Sequence, residues 1–566
     1  MSFRYLALFA LLISSGFQKV KSQLILDQPP AGEIRTMAEW EEIQALVISW
    51  TSYKPLLAEI IKYAQEECKV IVHIPANTSS TANTVTNELL NTYNVIVGPN
   101  VIFTKLPLNS IWIRDYGANS VYMNEVDSLF LVDWKYNRPS RLADDSLPRS
   151  YARLLNLNLV QNTVEPNRVV HTGGNFMSDG FGTGFSSNLV LDENPTKTEA
   201  QIDAIMQDYM GISRYIKMET LPFDGIHHID MHMKLFDEET ILMTQYPTGV
   251  ADGPQIEANL LYVLDNYNSV FGTPYKVVRV PSPEDAFGNF PDNVNGGDYL
   301  TYSNSVFVNK TVLLTSYREE FDTIAYRKYK ENLPGYRIQM LDCNDIIGAS
   351  GAIHCITHSV GVNDPLLISH QALNDTYDTQ NSYLVKGIVK HRSGIQQAQL
   401  FYRTDSTASF TTMPMTLSAD STDLWEAAIP AQFAGTHIQY YTQGFALSGK
   451  TQVRPITAPT GLWSFDVLDS SNVITQTKAI EQLFEIALFP NPSHGITCIP
   501  VKSLGNLSLT LEVYDINGRL VTNIYKGTTN AGENRFYINS ENWEAGVYLV
   551  KASTSKGNAI QKLMVY

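Results

Sequence analysis

Four stretches of the chain concentrate side chains that can do chemistry. One is Gly351-Ala352-Ile353-His354-Cys355-Ile356-Thr357-His358, which puts a cysteine between an apolar run and a Thr/His pair, directly after the small-residue segment 348–351. Glycines there let the backbone turn tightly and come close to a ligand. A cysteine at such a point is either a small buried hydrophobe or a nucleophile. Another is Trp112-Ile113-Arg114-Asp115-Tyr116-Gly117, whose Asp115 is either ion-paired with a neighbour or a functional acid. Gly173-Gly174-Asn175, with Asp179-Gly180 after it, could cradle a ligand or merely turn. The fourth is His227-His228-Ile229-Asp230-Met231-His232. As a strand, its period of two puts His228, Asp230 and His232 on one face. That face suits a metal, an acid/base pair or a hydrogen-bonded structural cluster.

The set holds a thiol, an imidazole and two acids. A planar cation such as guanidinium binds carboxylates bidentately. Two Asp side chains on opposite edges would fix it in place. A thiolate would then attack the central carbon, and a nearby His would protonate departing ammonia and later deprotonate water. The clamped cation also favours the thiolate beside it.

Residues 24 to about 375 must position these groups. Short β-branched or apolar runs occur at 70–74, 95–97, 129–132, 169–171, 189–191, 241–243, 277–280 and 312–314. Between them, 56–68, 150–157, 199–210 and 255–267 carry apolar residues at helical spacing. The alternation predicts an α/β domain. It is large for one core, which suggests a repeated architecture, although no internal repeat is visible by eye. From 376 to 468 short alternating strands and polar turns predict an Ig-like β-sandwich. A polar linker over 469–486 precedes a second small β module, 487–566, with a hairpin signal at Asn517-Gly518.

The net charge of −16 argues against nucleic acid and anionic membrane surfaces as partners. Arg4, the apolar 6–17 run and Val20-Lys21-Ser22 read as a signal peptide over 1–22. No later segment is apolar enough to span a bilayer. The four cysteines do not make a disulfide framework; Cys68 and Cys343 could pair, and the lone Cys355 fits a reactive thiol.

Two resemblances sharpen this reading. Residues 487–566, with Phe489-Pro490-Asn491-Pro492, Val513-Tyr514-Asp515-Ile516-Asn517-Gly518-Arg519 and Gly546-Val547-Tyr548-Leu549-Val550, resemble the type IX secretion C-terminal sorting domain of Bacteroidetes. This implies export by that machinery. Residues from about 30 to 370 resemble the agmatine deiminase and bacterial peptidylarginine deiminase family of the guanidine-modifying (pentein) superfamily. The resemblance rests on Trp-x-Arg-Asp-Tyr-Gly at 112–117, Gly-Gly-Asn at 173–175, His-x-Asp at 228–230 and Gly-x-Ile-His-Cys-x-Thr at 351–357. It implies a five-bladed α/β propeller, with Cys355 as nucleophile, His228 as acid/base, Asp115 and Asp230 as clamp, and Asn304 lining the site. It also implies Trp112, Ile226, Gly174 and Asn175 as substrate-binding residues. No catalytic metal or other cofactor is implied; a structural cation on the acidic loops stays open.

Thr172 stands where the agmatine branch usually has Glu, and Arg138 and Arg141 would attract an α-carboxylate at the pocket mouth. Departures from the peptidyl branch are the extra residue in Arg138-Pro139-Ser140-Arg141 and Gly225, where that branch has a Tyr. The expected function is therefore a secreted hydrolase turning peptidyl arginine, with a free α-carboxylate favoured, into citrulline and ammonia. Agmatine deiminase is the alternative enzyme, and a non-catalytic surface binder of arginine-bearing peptides the alternative class.

Overall fold

The computed structural model describes residues 24–565 apart from 293, 295, 420, 470–483, 504–506, 517, 531 and 555–556. The expected signal peptide and most of the expected linker lie outside the described residues.

Five sheets make up the region from 25 to 361, and each contains the same unit. A short strand pairs antiparallel with a longer one, a helix follows, and the next strand returns parallel. Met177–Ser178, Thr183–Ser187 and Arg214–Met218 form one unit around helix Glu199–Met210. Met233–Leu235, Thr240–Gln245 and Lys276–Pro281 do so around Gly253–Asn266. Val306–Val308, Thr311–Ser316 and Arg337–Asp342 do so around Glu319–Asn332. Asn119–Met123, Leu129–Tyr136 and Asn158–Asn162 do so around Pro148–Leu155. The fifth unit is assembled from both ends of the region: His358–Gly361 pairs antiparallel with Ile43–Ser49, which runs parallel to Lys69–Pro75.

Local chemistry explains the elements. Helix Glu199–Met210 starts at Thr198, whose hydroxyl accepts from Gln201 N–H while the Gln201 side chain returns to Thr198 N–H. Ile202, Met206 and Met210 share its buried face. It stops at Gly211, φ 67°, where a Cβ would lie 2.0 Å from the Ile34 carbonyl oxygen, so only glycine fits. Ile43–Ser49 and Lys69–Pro75 are buried almost throughout, the mark of parallel strands covered on both faces.

Two expectations fail here. Residues 95–97 form no strand, and Ile96 is 77% exposed; the strand is Val101–Leu106, part of whose length is polar. Residues 189–191 lie in a short helix, Leu189–Asp192, although the run is apolar. A three-residue apolar run does not distinguish strand from helix.

Downstream, two antiparallel sheets share a core that includes Val385, Val389, Leu400, Ile438, Tyr440 and Phe465. Strand Leu367–Ser369, upstream of the expected boundary at 376, already belongs to this sandwich. The C-terminal module is a second pair of sheets around Ile499, Leu511, Val513, Val550 and Leu563. Its first described strand, Phe484–Ile486, lies inside the stretch expected as linker. Leu507–Asp515 and Leu520–Thr529 form the expected hairpin; Gly518 has φ 80°, and Asn517 lies outside the described residues. All four cysteines are free thiols.

The first sandwich is joined to the α/β region by buried and partly buried charges. Arg454 reaches Glu238 at 3.2 Å, Lys450 reaches Glu42 at 2.7 Å and Lys390 reaches Glu125 at 2.6 Å. Burial lifts the Glu238 carboxyl to about 7, against the pull of Arg454. Backbones meet at Gly335 and Gly461. A Cβ on Gly461 would lie 2.1 Å from the Pro334 carbonyl oxygen, which also accepts from Thr457 Oγ1 at 2.6 Å. Gly461→Ala is therefore expected to destabilise the protein by roughly 1–3 kcal/mol through overpacking. Thermal unfolding checks this; an unchanged Tm would show that the seam yields freely.

Candidate active site

In each unit, the segment entering the first short strand carries one of the residues singled out above. Asp115 precedes Asn119–Met123, and Gly174 and Asn175 precede Met177–Ser178. His228 and Asp230 precede Met233–Leu235, Asn304 precedes Val306–Val308, and Cys355 precedes His358–Gly361. Equivalent turns of five similar units thus deliver the whole set.

Residues 227–232 do not form a strand. His227 has φ 57°, and Ile229–Met231 is a single 3₁₀ turn closed by His232 N–H on the Ile229 carbonyl. The shared face of His228, Asp230 and His232 therefore does not exist. The loop is held instead by Asp224, whose carboxylate accepts from Ile226 N–H at 3.0 Å, and by Ser187 Oγ, which donates to the His227 carbonyl at 2.7 Å. The hairpin after it, through Asp237-Glu238-Glu239, forms as expected.

Glycines set the close approaches. A Cβ on Gly174 would lie 2.5 Å from His228 Nδ1 and 3.1 Å from Asp115 Oδ1. Its absence lets that nitrogen and that oxygen approach to 3.7 Å. A Cβ on Gly351 would lie 2.7 Å from the Trp112 ring and 3.0 Å from Cys355 Sγ. Trp112 thus packs over the turn that carries the thiol. Asn175 points away into the framework: its Oδ1 accepts from Ser187 N–H at 2.9 Å.

Cys355 Sγ is buried, 3.2 Å from Asn304 Nδ2 and 3.5 Å from Asp230 Oδ2. Asn304 Oδ1 accepts from the N–H groups of Ala352 at 3.1 Å and His354 at 3.0 Å, so one side chain sets both the turn and the sulfur. Asp115 Oδ1, Asp230 Oδ1 and both His228 ring nitrogens are buried without a protein hydrogen-bond partner. Buried polar atoms are rarely left so. A group of them beside a thiol describes a receptor for a cation with N–H donors on its edges.

The electrostatics agree. Burial pushes the Asp115 carboxyl up, His228 opposes this and Asp230 adds to it. Burial alone would also raise Asp230, but the hydrogen bond and charge of His354 hold it below its ordinary value. Burial, then the charges of Asp230 and Asp115, push the Cys355 thiol well up. The thiolate is therefore disfavoured until a positive charge enters between the two acids.

Sequence reasoning missed the groups behind Asp230. His354 Nδ1 lies 2.7 Å from Asp230 Oδ2, and its Nε2 lies 2.5 Å from Glu39 Oε1. Glu39 also meets Lys234 Nζ at 2.6 Å and Arg114 Nη1 at 3.1 Å. His354 and Arg114 sat inside recognised motifs, and Lys234 is a cation on an otherwise apolar strand; Glu39 carries no signal of its own.

At the rim, Arg138 and Arg141 belong to one loop, closed by Arg141 N–H on the Arg138 carbonyl at 2.9 Å. Arg138 acts electrostatically on Asp115 and Glu193. Arg141 Nη1 donates to Tyr136 OH at 3.0 Å. Glu193 accepts from Asn137 Nδ2 at 2.7 Å. Ile226 is half-buried, and Gly225 is exposed with open space where a Cβ would go.

The family model of Porphyromonas-type peptidyl-arginine deiminases matches residues 35–360, and that of the secretion system C-terminal sorting domain matches 487–566. The latter is a type IX domain, which marks the chain for export to the surface or the medium. A Legionella pneumophila relative, provisionally named an agmatine deiminase, is 28% identical over 277 residues, 47% of this chain and 76% of that one. The solved agmatine deiminase of Enterococcus faecalis superposes with a TM-score of 0.50 at 16% identity, covering 59% of this chain and 100% of that one. A solved chain provisionally titled a peptidyl-arginine deiminase gives 0.50 at 21% identity, covering 58% and 99%. The α/β region has the pentein deiminase fold.

Because the thiol of Cys355 is held up, its alkylation by neutral iodoacetamide is expected to be slow at pH 7 and to rise roughly tenfold per pH unit through pH 9. Mass spectrometry of the Cys355 peptide measures this. A rate already on a plateau near pH 7 would contradict the assigned environment.

Proposed function

The chain belongs to the Porphyromonas-type peptidyl-arginine deiminase family, and we propose that it converts peptidyl arginine bearing a free α-carboxylate into peptidyl citrulline and ammonia. The observation that carries this is the set of unpartnered Asp115, Asp230 and His228 atoms beside Cys355 Sγ. Hydrolysis of a guanidine C–N bond is the family chemistry; the choice of substrate is our reading.

Asp115 and Asp230 accept the edge N–H groups of the guanidinium. Its charge offsets the two carboxylates that hold the thiol up. Cys355 gives its proton to His228, and the thiolate bonds to the guanidinium carbon. His228 returns the proton to one nitrogen, the C–N bond breaks and ammonia leaves, with a thiouronium on Cys355. His228 then takes a proton from water, whose oxygen bonds to that carbon. The C–S bond breaks, the sulfur takes up the proton from the new hydroxyl, the neutral ureido group remains, and His228 passes its proton to the released ammonia. Side chains alone supply every step. Five like units around this centre favour a five-bladed α/β propeller. The proposed layout is a signal peptide over 1–22, a deiminase domain from 24, an Ig-like domain that takes in strand Leu367–Ser369, a linker that ends before strand Phe484–Ile486, and the sorting domain.

Thr172 ahead of the glycine pair, and Arg138 and Arg141 at the rim, favour a substrate with a carboxylate. Trp112 and Ile226 would flank its stem. Agmatine is the second reading. Glu193, beside Arg138 on the same rim, offers an ammonium partner that a peptide carboxylate would not use.

Ammonia and citrulline release from a C-terminal-arginine peptide, an internal-arginine peptide, free arginine and agmatine tests the choice. The first is expected to have the highest kcat/KM. Ammonia from agmatine alone would reject the proposal, and binding without turnover of any guanidine would favour a surface binder. Arg138→Ala is expected to lower kcat/KM roughly 10–100-fold for peptides with a free α-carboxylate, the worth of a charged hydrogen bond. Amidated peptides should be spared, and an equal loss on both would remove Arg138 from substrate recognition.

A further inference from the structure

We infer that His354 is a positioning residue, protonated on both ring nitrogens, that fixes which Asp230 oxygen is presented to the substrate cation. The inference rests on the proposed guanidinium clamp and adds a residue that acts through it.

The two oxygens of Asp230 are not equivalent. Oδ2 is 2.7 Å from His354 Nδ1 and 3.5 Å from Cys355 Sγ, whereas Oδ1 is buried with no protein partner. One edge of the carboxylate is thus anchored and the other is offered. The anchor is itself anchored, because His354 Nε2 meets Glu39 Oε1 at 2.5 Å, and Glu39 Oε2 meets Lys234 Nζ at 2.6 Å. Lys234 Nζ also donates to the Ser305 carbonyl at 2.8 Å, and Arg114 Nη1 lies 3.1 Å from Glu39 Oε1. Side-chain exposure is 1% for His354, Asp230 and Lys234, and 8% for Arg114.

An ionised carboxylate only accepts hydrogen bonds, and a neutral imidazole has only one N–H. Carboxylates facing both ring nitrogens therefore require the ring to donate twice. The titratable and charged groups facing Asp230 are His354, His228, Arg114, Cys355 and Asp115, with Lys234 and His232 nearby. Those facing Glu39 are His354, Lys234 and Arg114, with Tyr329 and His358 nearby.

The test uses the full chain and two small alkylators of Cys355, a cationic haloacetamidine and the matching neutral haloacetamide. The wild-type protein is expected to react preferentially with the cation. His354→Gln, which leaves a neutral amide in place of the ring, should reduce that preference roughly tenfold, the worth of about one pKa unit. The neutral reagent should be nearly unaffected. The acid limb of the cation's reaction should move to higher pH, because Asp230 loses the group that holds it low and must then be ionised at higher pH. Glu39→Gln, at the more exposed end of the chain of contacts, should shift both readouts in the same direction by less, and it decides the matter if His354→Gln does not fold. An equal fall with both reagents, or an unmoved preference and acid limb, overturns the inference. The proposed function fails separately: loss of preference in the variants, with no turnover of any guanidine by the wild type, would keep the positioning role and reject the deiminase.

Discussion

Ionised carboxylates next to a buried thiol can persist only where each charge is answered, and much of the interior is organised by that requirement. Asp230 needs His354, His354 needs Glu39, and Glu39 needs Lys234 and Arg114. Deleting one member of a buried charged set leaves another uncompensated, typically at a cost of about 3–5 kcal/mol. Asp115 faces the His228 imidazole and, more weakly, Arg138, which do not offset burial, so its carboxyl is pushed up.

The same residues explain why the supporting scaffold is repetitive. Each unit can place only a turn's worth of side chains at its inner end. Five units together present two acids, an imidazole, an amide and a thiol from directions that no single loop could cover. Rigid strands and capped helices behind each turn limit the freedom of the groups in front, which is the condition for holding reacting atoms in register. The glycines at 174 and 351 do the remaining work by letting neighbouring turns touch.

Much of this was legible in the sequence where local chemistry and tertiary placement agree. Helix Glu199–Met210 announces itself through Thr198, Gln201, its apolar spacing and Gly211. The catalytic candidates were legible because reactive types stood in unusual company, and their gathering follows. The failures lie where the signal is non-local. Residues 95–97 are β-branched yet unpaired, with Ile96 exposed, while Val101–Leu106, with Thr104 and Lys105, becomes a strand because Lys69–Pro75 offers it a partner. The 227–232 segment reads as alternating but is bent by Asp224 and Ser187 from outside it. Glu39 is an ordinary surface-type residue until His354, far along the chain, is folded onto it. The repeat is not visible as a sequence repeat because the five units share strand direction and not residue identity.

Pairing of His358–Gly361 with Ile43–Ser49 ties the turn that carries Cys355 to the opposite end of the region. That ladder closes a loop of more than three hundred residues, so its conformational entropy is charged to the last step of assembly. The seam that completes the five-sheet region is therefore also the one that brings the Cys355 sulfur to Asp230 and Asn304.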